Sequence, residues 1–346
     1  MIIATGPKVS LRLAELADRV RVYQWYAYSD LTAQMVGLPL YPDHPIPDFD
    51  TFSADYQPYF FDGTRPFSGR GLIIVADGLD IGFLRYDEIN LLKDVVEIDL
   101  WFASRKHGGR GLGSEALQLA CGWLQRNFGV NRFLLRPSRR NVHALRAMRR
   151  AGFRETDLDR ADVIAKLNLP AGEYRDEVLL FRTLPLPSTR LVPEADRTYV
   201  FIDSEFTSLT SPRLISVGAV AGDAAAFYCE LSDWPRETAS PFVKSTVLPL
   251  LDGAAVPHPV AAESLVRWLG QRTAQTPVTL VSDSGFDRWA LADLLGREDL
   301  PAGCDWIRVP IAYQQLDEVA TELQLRRHHA LDDARALRHV VLNAES

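Results

Sequence analysis

The sequence predicts an α/β protein built as two domains, and three observations carry that expectation. Its 346 residues exceed the usual size of one domain, and 47% hydrophobic with 24% charged residues is the balance of an ordinary globular protein. The stretch Leu184 to Asp196 holds three prolines and little periodicity, which favours an extended linker. On both sides of it, apolar runs of strand length alternate with amphipathic stretches of helical length, the pattern of layered α/β architecture. The divisions are placed at 1–184, a linker over 185–197, and 198–346.

In the second domain, β-branched and aromatic runs predict strands near Tyr199–Phe206, Leu214–Ala221, Ala225–Leu231 and Val278–Ser282. Amphipathic stretches predict helices over Ala261–Arg272, Asp287–Leu295 and Asp332–Leu342. This order suits a ribonuclease H-like layered fold.

Acidic residues punctuate these elements. Asp203 and Glu205 interrupt an apolar strand two residues apart, so alternation sets both on one face. Buried carboxylates side by side repel, and protonation, a basic partner or a divalent cation relieves the repulsion. Asp287 follows Phe286 at the opening of a helix, where an aspartate also serves as an N-cap. His328 and Asp333 flank the start of the last helix. Asp283 and Asp332 are read as solvated carboxylates.

This ordered set resembles the DEDD superfamily of 3′→5′ exonucleases, in the branch whose third motif carries a histidine, near RNase T and oligoribonuclease. The resemblance covers about residues 198 to 346. It implies that Asp203, Glu205, Asp287 and Asp333 hold two Mg2+ or Mn2+ ions and that His328 deprotonates the attacking water. Four residues separate His328 from Asp333, the spacing of that family, which makes His329 the second choice. The implied partner is the 3′ end of RNA or of another single-stranded nucleic acid. Asp283 and Ser284 stand where relatives often carry His-Asn, a departure at the scissile phosphate. The residue types suit the chemistry: carboxylates favour hard cations, and an imidazole accepts a proton near neutral pH.

In the first domain, the strand-like run Val95 to Ala103 leads into Gly108-Gly109-Arg110-Gly111-Leu112-Gly113-Ser114 and then a helix from Ser114 to about Phe128. A glycine-rich turn entering a helix exposes N–H groups and the positive end of the helix dipole, so it predicts an anionic ligand; a plain tight turn has the same sequence. The Walker lysine is missing. Together with Asn141, Ala144, Leu145 and Ala151-Gly152-Phe153-Arg154, the segment resembles the GNAT N-acetyltransferases over about residues 8 to 184.

That resemblance implies a GNAT acyl-CoA N-acyltransferase fold with acetyl-CoA as cofactor. Main-chain groups of Trp101 and Ala103 would pair with pantetheine. The loop Gly109, Arg110, Gly111, Leu112, Gly113 and Ser114 would hold the pyrophosphate, with Asn141 in the second conserved segment. Arg139, Arg140 and Arg149 are candidates for the 3′-phosphate. Asp99, twelve residues before Gly111, stands where aminoglycoside-type members carry the acid that acts on the acceptor amine, with Glu97 as the alternative base.

Gly108 and Met148 depart from the family pattern, Met148 replacing the tyrosine that commonly protonates the leaving thiolate. The aromatic segment Trp25 to Phe61 is read as core beside the acceptor pocket, and Asp48, Asp50 and Asp55 as an acidic loop. The acceptor class stays open among a polyamine or aminoglycoside, a protein N-terminus and an aminoacyl group on RNA. So does the choice between a transferase and an acetyl-CoA sensor.

Cys121, Cys229 and Cys304 show no metal-ligand spacing, and the N-terminal residues lack a signal-peptide pattern, so a reduced, cytoplasmic protein is expected. No apolar run is long enough for a membrane helix. The formal net charge of −7 argues against a protein that tracks along duplex, whereas gripping a 3′ end through metals escapes that objection. The oligomeric state stays open, with a homodimer among the options.

Overall fold

The computed structural model describes every residue except 38, 39, 43, 171, 187–190, 192, 193 and 344–346. Six of the thirteen residues of the expected linker, 187–190, 192 and 193, therefore lie outside the described residues. The chain forms two compact units, one of residues 1–125 and 130–184 and the other of residues 126–129 and 185–346.

The first unit holds a sheet of eight strands: β1 (Ile2–Thr5), β2 (Ser10–Leu13), β3 (Arg70–Ala76), β4 (Leu79–Tyr86), β5 (Val95–Phe102), β6 (Arg132–Leu135), β7 (Arg154–Glu155) and β8 (Leu180–Thr183). Their order is β1-β2-β3-β4-β5-β6-β8-β7. Strands β2 to β5 pair antiparallel in sequence order. Strand β6 runs parallel to β5 and pairs with it only from Val95 to Glu97. Beyond Glu97 the two strands part, so Ile98–Phe102 keeps one edge without a strand partner among the described residues.

Among the described residues the α-helices of this unit are α1 (Arg19–Tyr28), α2 (Thr32–Met35), α3 (Phe49–Asp55), α4 (Tyr59–Asp62), α5 (Leu112–Phe128), α6 (Val142–Arg150) and α7 (Arg160–Leu167). Helix α5 follows β5 and buries Leu112, Ala116, Leu117, Ala120 and Leu124, which recur at helical spacing. Tyr23, Phe52, Tyr56, Phe60, Phe61, Phe83 and Trp101 form one buried cluster. Phe52 and Tyr56 stack within it at 4.3 Å. Most of the aromatic segment is therefore core. Asp48 is the N-cap of α3, accepting from Thr51 N at 2.8 Å, so its place in an acidic loop has a local structural cause.

The second unit holds β9 (Thr198–Phe206), β10 (Leu214–Ala221), β11 (Ala226–Leu231), β12 (Ala255–Val256), β13 (Val278–Ser282) and β14 (Cys304–Arg308), in the order β12-β11-β10-β9-β13-β14. Strands β9, β10 and β11 form an antiparallel meander, while β13 runs parallel to β9 and β14 to β13. Its helices are α8 (His258–Thr273), α9 (Gly285–Leu295), α10 (Tyr313–Glu322) and α11 (Ala330–Asn343). Every residue of β10 is buried, because apolar layers cover both faces of the sheet. Val200 and Ile202 of β9 pack in the layer that contains Ala261 and Leu265 of α8 and Leu291 of α9. Tyr199 and Phe201 pack in the layer that contains Leu316 of α10 and Leu337 of α11.

Two elements of this unit have weak sequence signals. Strand β14, Cys-Asp-Trp-Ile-Arg, carries two charges in five residues and lies at the sheet edge. Helix α10 buries only Leu316 and Ala320, one turn apart, so its amphipathic signal is thin. Helices α9 and α11 both begin two residues earlier than expected. Ser284, not Asp287, is the N-cap of α9 and accepts from Phe286 N at 3.1 Å, which frees the Asp287 side chain from capping.

Candidate active sites

In the second unit, alternation along β9 turns Asp203 and Glu205 to the same side as Phe201, the side covered by α11. Gly218 lies opposite Asp203 in the β9–β10 register. A Cβ on Gly218 would stand 2.2 Å from the main-chain nitrogen of Leu331, so this glycine lets the first turn of α11 press onto the sheet. Asp333 is brought to Glu205 in that way. Asp287 arrives from the first turn of α9, which starts just past the carboxyl end of β13.

The result is two sets of three side chains, each with ligand atoms within 4.8 Å of one another: Glu205, His328 and Asp333, and Asp203, Asp283 and Asp287. Asp287 is 2% exposed; Ser204 Oγ donates to its Oδ1 at 2.6 Å, and its Oδ2 has no hydrogen-bond partner among the described residues. Burial, and then the charges of Asp287, Asp333 and Glu205, hold the Asp203 carboxyl far above the ordinary carboxylate range. Burial and then Asp333 and Asp287 push Glu205 up to about 8. Burial also raises Asp287 and, against the pull of Arg327, Asp333. A cation would relieve the mutual repulsion of carboxylates held in so small a volume, and their hard oxygen donors suit Mg2+ or Mn2+. Arg327 supplies part of that charge, its guanidinium lying against Asp333 Oδ1 without a well-directed hydrogen bond.

His328 adopts a left-handed backbone at φ +65°, a conformation that costs a non-glycine residue about 1–2 kcal/mol. Its N–H donates to Asp333 Oδ2 at 2.9 Å, and its Nε2 lies 3.0 Å from the Tyr313 hydroxyl. Burial lowers its pKa and so favours the neutral imidazole that accepts a proton. His329 is elsewhere: it is 1% exposed, stacks on Tyr228 at 4.5 Å, and faces Asp252 and Asp332. Asp332 is not solvated as expected but buried, paired with Arg326 and Arg335 at 2.7 Å each. Asp283, likewise read as solvated, stands inside the acidic cluster, its carboxyl pushed up mainly by burial.

In the first unit, the open edge of β5 ends at the glycine loop. Gly109 and Gly111 have φ of +75° and +81°, backbone that glycine adopts without strain. Lys8, Gly109, Arg110, Gly111, Ser114, Glu115, Gln118 and Arg150 line a cavity of about 440 Å³ at the N-terminus of α5. Glu115 Oε1 accepts from the N–H groups of Lys8 and Val9, which fixes the N-terminal segment beside the loop. Leu112 is buried and Gly113 is helical.

Several assignments change here. Ser114 Oγ donates to Ala147 O at 2.8 Å, tying α5 to α6. The Ala103 N–H donates to Ile81 O at 2.8 Å, so it is already spent on β4. Alternation turns Trp101 the same way and turns Leu100 and Phe102 to the open edge. Arg139 and Arg149 share Glu155 at 2.8 and 3.7 Å, and Arg140 pairs with Asp176 at 3.0 Å. Lys8 and Arg150 line the loop cavity instead, with no motif to mark them.

A second cavity of about 160 Å³ lies along β5. Asp87, Glu97, Asp99, Trp101, Asn141, Met148, Glu173 and Tyr174 are among its lining residues. Arg85 lies opposite Asp99 in the β4–β5 register and reaches Asp87, Asp99 and Glu173 at 3.5, 3.9 and 4.0 Å. Arg136 reaches Glu97 at 3.5 Å and Glu177 at 3.1 Å. Burial raises Glu97 to about 8, and burial with the neighbouring Asp99 raises Glu173 to about 7. Asn141 caps α6 through Ala144 N at 3.1 Å. Glu173 and Tyr174 lie in a loop with no sequence pattern, so only folding brings them to β5.

Residues 8–154 match the model of the acetyltransferase (GNAT) domain, and the first unit carries such a domain. Similar solved structures include aminoglycoside acetyltransferase AAC(6')-Ib in complex with coenzyme A, at 20% identity over 51% of this chain and 94% of that one, with a TM-score of 0.39. RimL, a ribosomal alpha-N-protein acetyltransferase in complex with coenzyme A, shares 17% identity over 53% of this chain and 98% of its own, TM-score 0.42. Spermidine N-acetyltransferase from Vibrio cholerae, in complex with CoA and spermine, shares 15% over 51% and 96%, TM-score 0.39. No curated protein matches the sequence significantly.

Proposed function

We propose that the first unit transfers the acetyl group of acetyl-CoA to the nitrogen of a small cationic amine. The observation that carries this reading is the meeting, along one open strand edge, of a glycine loop at a helix N-terminus and a carboxylate-lined cavity. The loop and α5 fit an anion: N–H groups and the helix dipole converge there, with Lys8 and Arg150 beside them. Acetyl-CoA supplies the activated acyl group when bound.

The residues of the cavity then handle the acceptor. Asp87, Glu97, Asp99 and Glu173 bring four carboxyl groups against the two guanidinium groups of Arg85 and Arg136, a surplus that attracts an ammonium ion. Asp99 or Glu173 takes the proton of that ammonium, leaving the neutral nitrogen as nucleophile. Met148 offers no phenol at its position, whereas Tyr26, which burial keeps protonated, also lines the cavity and can donate; the Tyr174 hydroxyl donates to Met35 O at 3.2 Å. Turnover of acetyl-CoA with a panel of di- and polyamines, amino sugars and N-terminal peptides tests the reading. Binding without transfer to any of them would favour a sensor.

The carboxylate cluster supports a second activity in the other unit, metal-dependent 3′→5′ hydrolysis of RNA or single-stranded nucleic acid. Asp203, Glu205, Asp287 and Asp333 would hold divalent ions, whose chemistry is to generate hydroxide and stabilise the departing 3′ oxygen. His328 would accept the proton of the attacking water, oriented by its N–H bond to Asp333 and its contact with Tyr313. Digestion of single-stranded and 3′-recessed RNA and DNA with Mn2+ or Mg2+ tests this. A substrate panel left intact would leave the first unit's chemistry as the whole activity.

A further inference from the structure

We propose that Asp283 is a metal ligand, completing with Asp203 and Asp287 an all-carboxylate site for one divalent cation. The inference rests on the metal-dependent reading of the second unit and extends it by a fifth acid.

The three carboxylates come from three different places in the fold. Asp203 lies near the carboxyl end of β9, Asp283 is the first residue after β13, and Asp287 stands in the first turn of α9. Their ligand atoms lie within 4.8 Å of one another. Strands β9 and β13 are parallel neighbours, so both chains leave the sheet at the same end and the acids meet there. The backbone at Asp283 is fixed on both sides: Arg308 Nε donates to its carbonyl oxygen at 3.1 Å, and Ser282 Oγ donates to Ser284 O at 2.9 Å. Ser284 caps α9, which sets the short span between the two aspartates.

Acids alone do not make a site, but Asp287 adds an independent requirement. Its carboxylate is 2% exposed, Ser204 satisfies Oδ1, and Oδ2 is buried with no hydrogen-bond partner among the described residues. A buried unpartnered carboxylate oxygen is destabilising unless a cation or donor reaches it. Asp283, alongside, offers another acceptor and no donor when ionised, so it deepens the need for positive charge. A divalent ion between them answers both demands.

The chemistry of the set specifies the ion. Three carboxylates and no nitrogen favour a hard cation that takes oxygen donors, Mg2+ or Mn2+ in octahedral geometry, with the remaining positions left for water or a phosphate oxygen. The other set includes the His328 imidazole, so the two sets differ in donor type.

Mn2+ titration of the full chain by calorimetry, with free ion counted by electron paramagnetic resonance, tests the assignment in wild type and Asp283→Asn. The expected result is two ions in the wild type and, in the variant, loss or weakening of one site by ~10-fold or more with the other retained. In chelator, Asp283→Asn should melt no lower than wild type, since it removes repulsion without removing volume. A lower melting temperature with unchanged Mn2+ binding would assign Asp283 a structural role and overturn the proposal. Two sites of equal affinity in both proteins would also overturn it while leaving the metal-dependent reading intact. A wild type that binds no Mn2+ would remove that reading and this inference together.

Discussion

Gly218 and Asp203 face each other across β10 and β9, and the side chain that Gly218 lacks is the space into which the first turn of α11 inserts. One backbone contact thereby brings Asp333 and His328 onto the acidic strand. Gly218→Ala is expected to force α11 off the sheet, at about 1–3 kcal/mol for the overpacking. Chemical denaturation and Mn2+ calorimetry should show lower stability and weaker metal binding together. Normal metal binding in this variant would separate the α11 contact from the site.

Metal dependence is the expectation for carboxylates that are costly to ionise together. Chelation should abolish nucleic acid cleavage, and Asp203→Ala or Asp333→Ala should do the same while circular dichroism reports a folded chain. Cleavage by well-purified Asp203→Ala in excess chelator would refute the assignment.

His328→Ala should slow cleavage by roughly 10²–10⁴-fold near neutral pH with a smaller effect on Mn2+ binding. Because His328 has a left-handed backbone, His328→Gly should be more stable than His328→Ala by about 1 kcal/mol. His329→Ala should instead lower the melting temperature, since it empties a buried ring position on Tyr228. An inactive but fully stable His329→Ala with an active His328→Ala would exchange the two roles.

Stability should depend on pH with a definite sign. The Glu205 carboxyl is raised from 4.5 to about 8, so its contribution is whole below pH 4.5 and lost as pH rises through 8. In chelator, the melting temperature should fall between pH 5 and 8, less steeply in Glu205→Gln. Mn2+ should oppose the fall by binding the ionised form. An identical pH profile for Glu205→Gln and wild type would contradict this.

At the glycine loop, Gly111→Asp combines a strained left-handed backbone with a carboxylate against the expected phosphates. Acetyl-CoA should raise the melting temperature of wild type and leave this variant unchanged. Lys8→Ala should weaken acetyl-CoA binding several-fold through lost charge. Calorimetry showing no binding of acetyl-CoA to wild type would reduce the first unit to a scaffold.

Local pattern alone carried much of this protein. Alternation around Asp203 and Glu205 marked a buried strand with both acids on one face, and glycines 109 and 111 marked a turn into a helix, because these depend on neighbours a few residues away. Tertiary structure decided the rest. Asp283 reads as a solvated acid until parallel β9 and β13 end side by side, and Glu173 carries no motif until its loop closes over β5. Ala103 reads as a free strand-edge group until β4 takes its N–H. Arg139, Arg140 and Arg149 read as phosphate partners until Glu155 and Asp176 engage them. Which charges meet is a property of chain segments far apart in sequence, and burial then sets what each charge costs, so neither could be read from spacing.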